Sequence, residues 1–175
     1  LCSNILIMIT MKGFEFENLW YERIWEEAHL TIDNPENAFI VILGDFVTTE
    51  DGTGIVHTAP TFGADDYKAA KSAKPEVPPL LVPDKNGYKV PLVDLKGKFI
   101  DDIGMISGKY VKNEYYEEDK MPEKSIDVEI AIKLKEKNLA FKVERYSHSY
   151  PHCWRTDKPI LYLSLIHIWR CRRSS

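Results

Sequence analysis

Three side chains stand close together in the stretch "GTGIVHTAPTFGADDY" (Gly52–Tyr67): His57, Asp65 and Asp66. An imidazole and two carboxylates within ten residues suit proton transfer, or the capture of a cationic group beside a polar substrate or water. Asp66 could hold the cation, His57 could contact the substrate or a water, and backbone amides at the intervening turn could add hydrogen-bond donors. The bland alternative is a partly buried histidine and two helix-capping acids. A ligand with both an ammonium and an ester carbonyl, such as an aminoacyl group, fits the set, but these residues alone do not choose it from other ligands.

The elements around them follow from local pattern. "AFIVIL" is a continuous apolar run, as in a buried strand. "DFVTTEDGTG" supplies an Asp51-Gly52 turn, and "TGIVHT" is expected to pair back as a hairpin over Asn37–Pro60. Ile55 and His57 then share one face of the second strand. Ala59-Pro60 ends it, Gly63 permits a tight backbone, and "ADDYKAAKSAK" opens a helix with Asp65 and Asp66 in its first turn. The Pro-rich "PEVPPLLVPDKNGYKVPLVDLKGKF" reads as small strands around an Asn86-Gly87 turn. "SIDVEIAIKLKEKN" is the strongest helix, with Ser125 as cap and Ile126, Ile130 and Leu134 on one face. "LAFKVERY" (Leu139–Tyr146) is expected as a strand, and "FENLWYERIWEEAHL" as a short helix or an irregular edge. Strands and helices mix without regular alternation. That implies an α+β fold with a barrel-like sheet rather than a doubly wound one.

Other chemistries are poorly supported. The chain carries no Gly-rich phosphate loop and no GxSxG elbow, and Ser107 has no evident base. "HSYPHC" gathers His148, His152 and Cys153, but a zinc site usually wants a second cysteine pair and position 156 is Thr. No metal is assigned, the expected alternative being a turn with a half-buried Cys153. Cys2, Cys153 and Cys171 are few and widely spaced, which suits a reducing, cytoplasmic setting. No run approaches the roughly 18 apolar residues of a membrane span.

"LSLIHIWRCRRSS" (Leu163–Ser175) changes character abruptly, with three arginines and no acid. Leu163–Arg173 reads like a translated sequencing-library adapter; the alternative is a genuine basic tail. It is set aside as a scar. Without it 20 basic residues face 27 acidic ones, and the net charge moves from −4 to −7. So acidic a domain has no broad surface for nucleic acid, and any such contact must be local.

"GTGIVHTAPTFGADDY" closely resembles the signature of the editing domain of isoleucyl-tRNA synthetases, the connective-peptide insertion in a Rossmann catalytic domain of class I. "ILGDFVTTEDGTG", "PLLVPDKNGYKVPLVDLKGKF", "GKYVKNEYY", "DVEIAIKLKEKN" and "HSYPHCWRTDKPILY" extend the resemblance over roughly Met11–Tyr162, and "HSYPHCWR" favours the isoleucine enzymes over their valyl and leucyl relatives. The resemblance implies a distorted β-barrel editing domain with peripheral helices, incomplete here, over residues 1–145. Residues 146–162 would be a ribbon returning to an absent catalytic domain.

It implies hydrolysis of valine mistakenly esterified to tRNA(Ile) by a bound water. Asp66 would bind the substrate ammonium, His57 would lie beside the substrate, and Gly54, Thr58 and Asp65 would complete the substrate-binding set. "VTTED" (Val47–Asp51) is not the family's upstream threonine-rich strand, and the HIGH and KMSKS signatures are missing. The chain is therefore expected to be an internal piece of a longer enzyme. It would need no cofactor of its own, ATP serving the parent's catalytic domain. The expected partner is the misacylated 3′ end of tRNA(Ile). The protein would be monomeric, away from membranes, and a weak editor alone. A valyl-type domain clearing threonine, or a non-catalytic piece that only binds the tRNA end, are the alternatives.

Overall fold

The aromatic and acidic stretch Phe16–Leu30 is an irregular edge, entered through a 3-10 turn at Gly13–Phe16. The computed structural model describes residues 9–50, 53–144 and 149–163. Helix α1 spans Ala64–Ser72 and α2 spans Ile126–Glu136. Strands β1 (Val82–Pro83) and β2 (Lys89–Val90) pair antiparallel, with Val82 opposite Val90. The architecture is α+β, and among the described residues the sheet is open and two-stranded rather than closed. No described helix is long and apolar enough to cross a membrane.

Two turns of one design organise the middle of the chain. In Asp84–Tyr88 and again in Asp94–Lys98, the aspartate Oδ1 accepts from the amides two and four residues on, at 2.8–2.9 Å. Gly87 and Gly97 sit at φ of +81° and +76°, where a residue without Cβ is favoured. The aspartates lock the turns, and the chain folds back so that Val93 faces Phe99 and Lys98 faces Tyr110.

α2 begins at Ser125, whose carbonyl accepts from Val128 and Glu129 but whose side chain makes no capping bond. It ends in a Schellman closure. Asn138 takes φ +57°, its amide reaches Lys135 O, and Leu139 N reaches Leu134 O at 2.8 Å. The expected face is real at its centre: Ile126 is buried and Ile130 packs on the core of Ala28, Val82, Ile103 and Ile106. The Trp25 indole donates to Ile103 O at 3.2 Å and carries the Lys133 ammonium 4.5 Å above its ring. Lys133 also pairs with Glu27, whose carboxylate takes the Met105 amide.

Two expected strands do not form. One hydrogen-bonding edge of Phe39–Val41 is taken by the earlier edge segment: Trp20 faces Ile40, Tyr21 N reaches Phe39 O and Val41 N reaches Leu19 O. Among the described residues "TGIVHT" does not pair with the other edge, and Ile55 is 72% exposed. Positions 51 and 52, the expected turn, lie outside the described residues. Among the described residues Leu139–Glu144 has no strand partner either, and Phe141 is 94% exposed. The adapter-like stretch after Leu163 and the 145–148 junction, including His148, also lie outside the described residues.

The Glu27 cluster carries a pH prediction. The hydrogen bond from Lys133 holds the Glu27 carboxyl below its ordinary 4.5, helped by the Met105 amide and the charges of Lys133 and Lys137, against desolvation. A carboxyl depressed on folding stabilises the native state above its unfolded value, and that contribution is lost as pH falls through the folded value. Glu27→Gln should therefore lower the urea midpoint more at about pH 6 than at about pH 3, the difference shrinking as pH falls below 4.5. An equal difference at both pH values would show that the Glu27 charge is not what Lys133 holds.

Candidate functional site

The segment between Gly54 and α1 is held by short-range bonds. Gly54 takes φ +76°, and Thr53 Oγ1 brackets the amide and carbonyl of Ile55. Phe62 N closes a turn onto Ala59 O at 2.9 Å, with Pro60 and Thr61 buried beneath it. Gly63 is the N-cap of α1 and has extended backbone angles, φ −143° and ψ 135°.

The two acids of the first turn are separated by helical geometry. Asp65 points outward, exposed, and pairs with Lys68 at 3.1 Å. Asp66 is half-buried and turns back on the preceding loop, where its Oδ2 accepts the Ala59 N–H at 2.9 Å. That is the one hydrogen bond to its carboxylate among the described residues. His57 is exposed, and Gly54 and Thr58 are half-buried. His57 precedes Ala59 by two residues, so their Cα atoms lie within about 7 Å of each other. The structure thus brings Asp66 back to the His57–Ala59 loop and leaves Asp65 on the outer side of the helix.

Sequence reasoning missed the Ala59 amide as the partner of Asp66. It also missed what Gly63 does for that contact. The only available signal was a glycine three residues before an acid at a helix start.

An open cleft of about 850 Å³ lies between α2 and the 139–144 segment, lined on its apolar side by Ile130, Leu134, Leu139 and Phe141. Its lip reaches Thr53, next to Gly54, but not His57 or Asp66. Ser107 is structural: its Oγ accepts the Ile103 N–H at 2.9 Å. Cys153 sits half-buried in a turn, its carbonyl taking the Thr156 and Asp157 amides. The Thr156 hydroxyl, with the Arg155 and Thr156 amides, draws its thiol below the ordinary value. Among the described residues no group of three His, Cys, Asp or Glu is placed to hold a metal.

An α+β segment with a carboxylate folded over the loop after an imidazole now meets its relatives. No protein-family model matches the chain. Its relatives over about nine-tenths of its length are nevertheless aminoacyl-tRNA ligases. It is 48% identical over 169 residues to the isoleucine–tRNA ligase of Cytophaga hutchinsonii and 44% identical over 177 residues to that of Porphyromonas gingivalis, each match covering 91% of this chain. The isoleucine–tRNA ligase of Thermoplasma volcanium is 38% identical over 99% of the chain. The chain belongs to the isoleucine–tRNA ligase family, of whose matched members it spans 14–15% of the length.

Proposed function

We propose that this chain is the part of an isoleucine–tRNA ligase that removes valine wrongly esterified to tRNA(Ile). The open sheet and the paired segments around Trp20 and Ile40 belong, on this reading, to a distorted β-barrel editing domain. The ribbon from 146 to 162 leads toward the catalytic domain. The HIGH and KMSKS signatures of ATP-dependent charging do not occur in these 175 residues, so ATP and the ligation step are assigned to the rest of the enzyme.

The observation that carries the reading is the state of Asp66. A half-buried carboxylate with one oxygen on a backbone amide keeps the other for a cation. An aminoacyl ammonium there makes a charge-assisted hydrogen bond and fixes the ester relative to the loop. A water then adds to the acyl carbon, the carbon–oxygen bond to the ribose breaks, and the ribose oxygen leaves with a proton. His57 contacts the substrate or that water, and Gly54 and Thr58 shape the entrance, with Asp65 turned to the outer side of the helix. A second site is needed because one methylene distinguishes isoleucine from valine by only about 1–3 kcal/mol in a hydrophobic pocket.

The test places this segment in the full-length Cytophaga hutchinsonii enzyme and follows deacylation of valyl-, threonyl- and isoleucyl-tRNA(Ile). The valyl ester should be cleaved at least about tenfold faster than the isoleucyl ester, a difference of about 1.4 kcal/mol in barrier. Faster loss of threonine than of valine would favour a valyl-type domain. Binding of tRNA without cleavage would mark a non-catalytic segment.

A further inference from the structure

Gly63 has ordinary extended backbone angles that any residue adopts, so its conformation does not require glycine. The space does. A Cβ built there would lie 2.7 Å from Asp66 Oδ2, 2.9 Å from its Cγ and 3.2 Å from its Cβ. The Asp66 side chain occupies the space where a Cβ of residue 63 would stand, and from there it reaches the Ala59 amide at 2.9 Å. From the third position of a helix, an acid usually folds back on the N-cap residue's own amide. Here it passes over that residue and docks on the loop four residues earlier, at the Ala59 amide.

We propose that Gly63 and the Ala59 N–H are the positioning pair for Asp66: glycine leaves the corridor open, and the amide pins Oδ2 so that Oδ1 is presented to the ammonium of the aminoacyl ester. The inference rests on the editing reading of this same site and adds a determinant of amine recognition outside the residues that touch substrate. Any side chain at 63 drives the carboxylate off the Ala59 amide, and the amine loses its anchor while the water and the ester remain.

The experiment uses the full-length chimeric enzyme with two esters of tRNA(Ile): valine, and 2-hydroxy-3-methylbutanoate, which is valine with its amine replaced by hydroxyl. Gly63→Ala should slow cleavage of the valyl ester at least tenfold and change the hydroxy ester by less than twofold. In the Asp66→Ala background, where the clash with the carboxylate is gone, Gly63→Ala should add no further loss. A loss shared equally by both esters, a further loss in the double variant, or normal valine clearance by Gly63→Ala would each overturn the positioning role. Asp66→Ala separates the two levels. If it clears valine normally, the editing role of Asp66 itself fails; if it does not and Gly63→Ala does, only the role of Gly63 fails.

Discussion

Asp66→Ala in the full-length enzyme carrying this segment should slow clearance of valine from tRNA(Ile) at least tenfold while leaving isoleucine charging unchanged. A hydrogen bond to a charged group is worth about 1.5–3 kcal/mol, so losing the ammonium contact alone costs roughly 10- to 150-fold in deacylation. Asp66 also has a local structural task, because its Oδ2 holds the Ala59 amide. Asp66→Asn separates the two. The amide side chain still accepts the Ala59 N–H through its carbonyl oxygen, yet it has no charge for an ammonium. If the electrostatic role is the main one, Asn should be nearly as inactive as Ala. An Asn variant that clears valine at the normal rate would reduce Asp66 to a loop fastener.

The largest effect on stability is expected at Gly104. It takes φ +77°, a conformation that costs a residue with Cβ about 1–2 kcal/mol. A Cβ there would also fall on the Glu27 carboxylate, so Glu27 would have to leave Met105 and Lys133. The position lies between Ile103 and Ile106, two of the buried residues of the apolar core. Gly104→Ala should destabilise the chain by about 3 kcal/mol and lower Tm by about 6–12 °C. Gly13, with nothing within 4 Å of its added Cβ, is the control, and Gly13→Ala should shift Tm by less than about 2 °C. Removing the clashing partner with Glu27→Ala should recover part of the Gly104→Ala loss, which a double-mutant cycle would measure. An unchanged Tm for Gly104→Ala would show that Glu27 is not held where it lies.

Much of the local structure was legible in the chain. Both helices carry their own signals: acids in the first turn of α1, and in α2 a Ser before it, an apolar row at Ile126 and Ile130, and lysines late. The Asn86-Gly87 turn formed where its φ-tolerant residues stand. The expected pairing within 37–60 and the strand expected from 139, described as far as 144, failed for a common reason. An apolar extended segment records that it can pair, but its partner lies elsewhere in the chain. Phe39–Val41 took Leu19–Tyr21, and among the described residues 55–58 and 139–144 have no strand partner.

The candidate site divides in the same way. Residue types and spacing alone marked His57, Asp65 and Asp66 as a chemical cluster, set α1 beginning at the acids, and carried the family resemblance, because all of these depend on neighbours within about one or two turns of chain. Only the tertiary structure decided which acid faces inward, that its carboxylate docks on the Ala59 amide, and that Gly63 leaves it room to do so. A helix turns about 100° per residue, so consecutive acids point in different directions, and the surroundings that meet each one are set by where the preceding loop packs.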